Sequence, residues 1–523
     1  MAKQFLCTLT EPVVQTKAGK LRGFQTDGTY AFHGVKYADA KRFQQPTPVE
    51  PWEGIKNALA YGYVCPMLRQ DQPNNELLVP HRYWPLDENC QYLNIWTQSL
   101  DPKAKKPVLV WLHGGGFAAG SSIEHVAYEG ENMSKYGDVV VVSLNHRLNI
   151  LGYLDLSPFG EKYKNSGNAG NADMVAALQW IHDNIENFGG DPENVTLFGQ
   201  SGGGMKVWTL MQTPAADGLF HKGVVQSGCI DSFMKQPESS DGTAIVTALM
   251  KELRIKNVEK LETVPYARLA AAYNKVAPKV AKTGAYIGGN PLPNDWYVGD
   301  PVEVGFTEHA KTIPVMAGTV LGEFSFMPAL SAEQKADKEF IDKKIAKRYG
   351  EDGEELKRLF AEVYPDKDIS DVLFVDSIFR APTIKFIQAK AKHPESGTYS
   401  YNMTYTFPYD GGHIAWHCSE IPFVFHNTSL VALFNEEGVT EMLEKRMCDA
   451  WLNFARTGKP SSEDLPEWPA CTADDEAVMI FDKECEVRHN YDHELIALHK
   501  KASPPWGAPP AKDDDEEEQK IQH

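Results

Sequence analysis

The chain has 523 residues, 42% hydrophobic and 11% aromatic, which is enough apolar side chain for a large core and rules out a disordered, collagen-like or small disulfide-stapled protein. Acidic residues outnumber basic ones by 71 to 52, and a net charge of −19 argues against a nucleic-acid binder or a protein seated on anionic lipid, since both need a basic face. The run from Lys512 to Lys520 carries six acids and two lysines, so about −15 of the charge belongs to the rest of the chain.

At the N-terminus, Met1 to Thr8 lacks both an apolar stretch of roughly 7–15 residues and a small-residue cleavage site, so no secretory signal is read. Nothing elsewhere runs to about 18 apolar residues. The expectation is a soluble, cytoplasmic protein with no membrane partner. Eight cysteines are too sparse for a disulfide framework, and none sits in a Cys-x-x-Cys or zinc-type cluster, so no metal is expected. The sequons at Asn132, Asn194, Asn402 and Asn427 then read as chance matches. No fixed-period repeat appears, which removes solenoids and propellers.

Further along, short apolar runs alternate with helical patterns. Residues 106–112, 138–144 and 194–198 read as three strands, and 224–226 and 312–317 add two more. Runs apolar on successive residues fit strands covered on both faces, hence a parallel sheet between helices. Between the second and third runs, Val175, Leu178, Ile181, Ile185 and Phe188 recur three or four apart, ahead of Gly189-Gly190-Asp191-Pro192. That pattern predicts a crossover helix with a glycine stop. Strand, helix, strand in this order predicts an α/β fold with a central, mostly parallel, twisted sheet. Residues 241–365, apart from 312–326, are richer in charged helical pattern and predict a helical insertion over the sheet. Residues 1–506 read as one domain, and the acidic 507–523 as a flexible tail.

Directly after the strand ending at Leu112 stands His113-Gly114-Gly115-Gly116-Phe117, a loop whose backbone N–H groups can aim at a developing oxyanion. A phosphate loop would close with Gly-Lys-Ser/Thr, which this loop does not. The third strand runs into Gly199-Gln200-Ser201-Gly202-Gly203, a Gly-x-Ser-x-Gly pentapeptide followed by the helix-compatible residues 205–211. The pentapeptide alone is a weak signal, but strand before and helix after are what a nucleophile elbow requires. The oxyanion donors are assigned to the N–H groups of Gly115, Gly116 and Gly202.

A serine hydroxyl needs an imidazole to take its proton and a carboxylate to hold that imidazole. Past the strand at 312–317, the only acidic residue between Glu308 and Glu333 is Glu323, at the sheet edge where sites form. Residues 398–405 read as a late strand, and after the Gly411-Gly412 turn two histidines follow, His413 and His417. The residues alone do not choose between them.

Taken together, these blocks resemble the type B carboxylesterase family, which includes bacterial ester hydrolases, vertebrate carboxylesterases and cholinesterases. The resemblance spans Val14 to Trp468 and rests on Gly34-Val35-Lys36-Tyr37-Ala38, Glu88-Asn89-Cys90-Gln91-Tyr92-Leu93-Asn94, the His113 loop, Asn145-His146-Arg147, Gly167-Asn168-Ala169-Gly170 and the run from Phe188 to Gly199. It implies the α/β-hydrolase fold. The family's His-x-x-Glu-x-x-Phe-Val-Phe pattern falls on His417 to Phe425, which selects His417 over His413 and supports Glu323 as the acid.

The chain departs from the family at Gln200, where glutamate is usual, at Gly202, where alanine is usual, and at Gly322-Glu323-Phe324, where Asp-Glu-Gly is usual. Glycine at 202 keeps a donor but is expected to loosen the turn. The resemblance also implies buried salt bridges of Arg42 with Glu88 and Arg147 with Asp173, a disulfide between Cys65 and Cys90, and a supporting role for Ser227 behind the triad. Tyr83 and Trp84 do not match the spacing of the cholinesterase tryptophan, so no choline recognition is inferred.

The resulting expectation is a serine carboxylic-ester hydrolase working through an acyl-enzyme on small-molecule esters, short-chain or aryl, with Ser201, His417 and Glu323 as its triad and no cofactor. Its rivals are a non-catalytic adhesion or scaffold homologue, and lipase or peptidase activity on the same machinery.

Overall fold

Aliphatic and β-branched side chains on consecutive residues suit a pleated surface that is covered on both sides, and Val108 to Leu112 and Val140 to Leu144 are buried at every position. They lie in a twelve-stranded sheet. The computed structural model describes residues 4–69, 82–231, 241–325, 330–409, 411–431 and 435–503, and the expected tail at 507–523 lies outside them. In chain order the strands are β1 (Phe5–Leu6), β2 (Phe24–Thr26), β3 (Thr29–Lys36), β4 (Tyr92–Thr97), β5 (Lys106–Leu112) and β6 (Val140–Leu144). They continue as β7 (Gly190–Gln200), β8 (Lys222–Gln226), β9 (Val315–Val320), β10 (Thr398–Met403), β11 (Ala477–Phe481) and β12 (Glu486–His489).

The spatial order is β1-β2-β3-β4-β6-β5-β7-β8-β9-β10-β11-β12. From β6 to β11 all pairings are parallel, and antiparallel strands close both edges. The chain leaves β5 for β6 on one side, then returns through helix α1 (Ala169–Asn184) to β7 on the other. This reversal of direction is a switch point, and the loops leaving β5 and β7 lie side by side at the carboxyl ends of the strands. α1 begins four residues before the expected Asp173, continues as a 3-10 turn to Phe188, and stops at Gly189 with φ 76°.

Helix α2 (Gly202–Met211) follows β7. The segment expected as one insertion divides into two units. In the first, α3 (Thr243–Leu253) and α4 (Tyr266–Ala281) bury Leu249 and Leu269 with Leu154, Leu156 and Tyr163. In the second, α5 (Lys338–Tyr349) and α6 (Gly353–Val363) share a core with Leu321, Ile414 and Leu495. Further on stand α7 (Arg380–Lys390), α8 (Val439–Thr457) and α9 (His493–Ala502). No helix among the described residues is long and apolar enough to cross a membrane.

Two expected salt bridges are formed. Arg147 and Asp173 pair at 2.6 Å with both side chains buried, and Arg42 pairs with Glu88 while donating to the Leu261 and Val264 carbonyls. The disulfide implied by the resemblance is not formed. Cys65 and Cys90 stand together as buried thiols. Burial and a hydrogen bond with Cys65 hold the Cys90 thiol well above its ordinary pKa, which disfavours the thiolate that would have to react. Two of the sequon asparagines, Asn402 and Asn427, are buried and hydrogen-bonded, consistent with chance matches.

Arg380, at the start of α7, sits between two buried carboxylates, Glu476 at 2.8 Å and Asp492 at 2.7 Å. Glu476, Asp492 and His493 form the one cluster of metal-type ligands among the described residues, and the guanidinium fills it. Burial raises the Glu476 carboxyl, but the charge of Arg380 and hydrogen bonds from His493 and Ser400 win, pulling it down to about 2. Its contribution to stability is therefore present above the unfolded carboxyl value and lost as pH falls towards about 2. Arg380→Met strands both carboxylates and should cost about 3–5 kcal/mol in denaturant unfolding at neutral pH, with the deficit shrinking on acidification.

Candidate active site

Ser201 occupies the single residue between the end of β7 and the start of α2, at φ 58° and ψ −126°, a region that side chains other than glycine seldom enter. The backbone around it holds that geometry: Ser201 N–H donates to Gln226 O at 2.8 Å, and Ser201 O accepts from Met205 N–H at 3.1 Å. Gly203 makes the turn sterically feasible. A Cβ there would stand 1.9 Å from the Leu112 carbonyl oxygen at the end of β5. β5 and β7 pair with Leu112 opposite Gly199, so the elbow and the His113 loop leave the sheet side by side.

In that loop Gly115 and Gly116 both adopt positive φ, 85° and 60°. Among the described residues, no acceptor takes the N–H of Gly115, Gly116 or Gly202, so all three expected donors are available to a ligand. Glycine at 202 was expected to loosen the turn. Instead it closes it, because a Cβ at 202 would stand 2.3–2.4 Å from Gly116 backbone atoms. The loop packs against the elbow where an alanine would hold it away.

The structure selects His417. Its Nδ1 lies 2.5 Å from Glu323 Oε2, whereas His413 sits on a separate two-stranded ribbon with its ring against Tyr409. Glu323 is fully buried at the end of the loop after β9. Its other oxygen accepts from Ser227 Oγ at 2.6 Å and Val320 N–H at 3.1 Å, and its carbonyl accepts from His417 N–H at 2.8 Å. Ser227 thus stands where its expected supporting role requires. Burial acts to lower the imidazole pKa, but the Glu323 charge and hydrogen bond, with Glu420 and Asp376 beyond, raise it above the ordinary histidine value. Asp376 and Glu420 are themselves pushed up to about 7 by burial and by the Glu323 charge.

Ser201 and His417 are not hydrogen-bonded to each other; the residue before the serine is the one that reaches the imidazole. The Gln200 amide nitrogen, one residue before the serine, lies 3.2 Å from Nδ1 and 3.4 Å from Nε2 of His417. Nearly equidistant from both, it cannot lie along the lone pair of either, so it sits over the ring. Gln200 is oriented by the Cys418 thiol, which donates to its Oε1 at 3.1 Å from a residue at φ 76°. Phe379 and Phe324 stack with the imidazole at 5.1 and 5.7 Å. Behind the elbow, Gln226 gathers three elements: its carbonyl takes the Ser201 N–H, its amide donates to Glu420, and its Oε1 accepts from Trp451 Nε1 on α8.

Several residues in and around the site escape the sequence reading. Cys418 and Phe324 flank the chosen histidine and acid and could have been found by adjacency. Lys206, inside a helix buried at every position, is a charge where the pattern asks for an apolar residue, and that was its signal. Phe379 had none. Trp84 donates to the Tyr61 carbonyl and packs on its ring, a packing role.

A sequence model of the carboxylesterase family matches residues 10–498. The para-nitrobenzyl esterase of Bacillus subtilis (strain 168) is 31% identical, covering 93% of this chain and 98% of its own length. The phenmedipham hydrolase of Pseudarthrobacter oxydans is 32% identical, covering 90% of this chain and 95% of its own. Among solved structures, an esterase from Clostridium hathewayi, described as hydrolysing aliphatic aromatic polyesters, matches with a TM-score of 0.92 at 56% identity, over 96% of this chain and 100% of that one. With its α/β-hydrolase fold, this chain belongs to the carboxylesterase family and is a carboxylic-ester hydrolase.

Proposed function

We propose that Ser201 attacks the ester carbonyl while His417 takes its proton, Glu323 holds the imidazole and stabilises its charged form, and the amides of Gly115, Gly116 and Gly202 receive the oxyanion. Collapse of the tetrahedral intermediate returns the proton to the leaving alcohol and leaves an acyl-serine. Water, activated by the same imidazole, then releases the acid. The observation that carries this reading is the Glu323–His417 contact at 2.5 Å beside a serine held at positive φ.

The substrate side of the reading is an ester with an aromatic or short acyl group. Phe117, Phe324 and Phe379 form one apolar cluster with Tyr153, Met205 and Ile230, and two of those rings stack with the imidazole. Aromatic walls favour a flat, apolar acyl group through offset and edge contacts. The description of the Clostridium hathewayi esterase, 56% identical, as hydrolysing aliphatic aromatic polyesters supports an ester with an aromatic component. A net charge of −19 favours expulsion of the carboxylate product.

Ser201→Ala should lower para-nitrophenyl acetate turnover by about ten-thousandfold or more while leaving the unfolding curve unchanged. Turnover well above buffer in that variant would reject the assignment. Because His417 must be neutral to act as base, kcat/KM should rise with pH through its elevated pKa. Glu323→Gln should move that acid limb to lower pH and cut kcat; an unmoved limb would remove Glu323 from the role. Phe324→Ala should cost a benzoate ester about tenfold more in kcat/KM than an acetate ester, read by comparing the two substrates.

A further inference from the structure

Lys206 is fully buried on α2, one turn beyond the elbow. Its Nζ donates to the His113 carbonyl at 2.8 Å, and no carboxylate forms an ion pair with it among the described residues. His113 and His146 stack beside it at 5.4 Å, and burial together with the Lys206 charge holds both imidazoles neutral, well below their ordinary values. The other titratable groups that face the ammonium are Glu124 and the Cys65 thiol. Burial pulls Lys206 down to about 7 against the charge of Glu124, and burial pushes Glu124 up to about 7.

An ammonium has three protons to donate, and here it has one neutral acceptor. A buried cation with no carboxylate in ion-pair contact is costly in the resting protein. The acceptor it does have is the carbonyl of the peptide that opens the glycine loop. Two and three residues further on, the Gly115 and Gly116 amides are free to receive an oxyanion. A charge that lacks its partner in the ground state and gains one as the tetrahedral intermediate forms lowers the barrier without tightening substrate binding.

We propose that Lys206 is a positioning residue for ester hydrolysis: its buried ammonium fixes the His113 peptide beneath the glycine loop and provides a positive charge that the developing oxyanion completes. This rests on Ser201 as nucleophile, and failure of that premise would show separately, as turnover surviving Ser201→Ala. The test is Lys206→Met, which keeps the stem and removes the charge. An aryl trifluoromethyl ketone serves as probe, because Ser201 Oγ adds to its carbonyl carbon, the C=O π pair becomes an alkoxide, and the proton passes to His417. The matching methyl ketone binds without forming that anion.

The expected result is a kcat about tenfold lower or more, less than the loss of a direct oxyanion donor, with KM near the wild-type value. Trifluoromethyl ketone affinity should fall by the same factor as kcat, with methyl ketone affinity unchanged. A retained kcat, or equal weakening of both ketones, would overturn the proposal. If Lys206→Met does not fold, Glu124→Gln provides the second measurement. Loss of that acid lets Lys206 deprotonate earlier, so the alkaline limb of kcat should move to lower pH, and an unmoved limb would overturn the proposal equally.

Discussion

The site depends on one backbone contact, the seating of Gly203 against the Leu112 carbonyl where β5 and β7 run in parallel. No side chain fits at that point, and the approach is possible because both strands end at the same level of the sheet. From it follow the positive φ of Ser201, the start of α2, and the placement of the glycine loop within reach of the serine. Gly202 extends the same contact to Gly116, so the loop and the elbow touch through backbone rather than through side chains. Backbone-to-backbone packing leaves little freedom, and the proposed oxyanion site would gain from that rigidity because its donors need no reorganisation during reaction.

The electrostatics are arranged around a single carboxylate. Glu323, Asp376 and Glu420 are all buried near His417, yet they differ in what holds them. Glu323 accepts from Ser227, from the Val320 amide and from the imidazole, whereas burial and the Glu323 charge push its two neighbours up to about 7. The contact that sets Glu323 apart is the one with the imidazole, since Asp376 also accepts backbone N–H groups, from Ile378, Phe379 and Arg380. The Arg380 network bears on this centre as well. It anchors the first turn of α7, immediately after Phe379, and so fixes the ring that stacks with the imidazole.

Much of this was legible from residue order. The unbroken apolar runs declared the parallel strands, the glycine after Phe188 ended the crossover where the structure ends it, and Gly-x-Ser-x-Gly after a strand announced the elbow. The choice between His413 and His417 was not legible from physics, because both follow the same turn and only their partners separate them. Nor was the closing of the glycine loop onto Gly202, since conformational freedom at a glycine says nothing about which backbone will come to occupy the space. Phe379 lies 38 residues before His417, with no motif to mark it, and meets the imidazole only because α7 is pinned from beyond β10. The outermost strands, β1 and β12, were equally silent, since they carry too few residues to show a period.

Gln226 has a consequence for how the protein comes into being. Its carbonyl holds the serine's own amide, while its side chain is held by Glu420 and by Trp451, which lies 225 residues away along the chain. On the ribosome, the segment bearing Ser201 emerges long before the residues that brace it, and closing so wide a loop is an entropic cost met late in folding. In the proposed mechanism, the capacity to attack an ester therefore arrives only once the final third of the polypeptide, which carries His417 and Trp451, has been made.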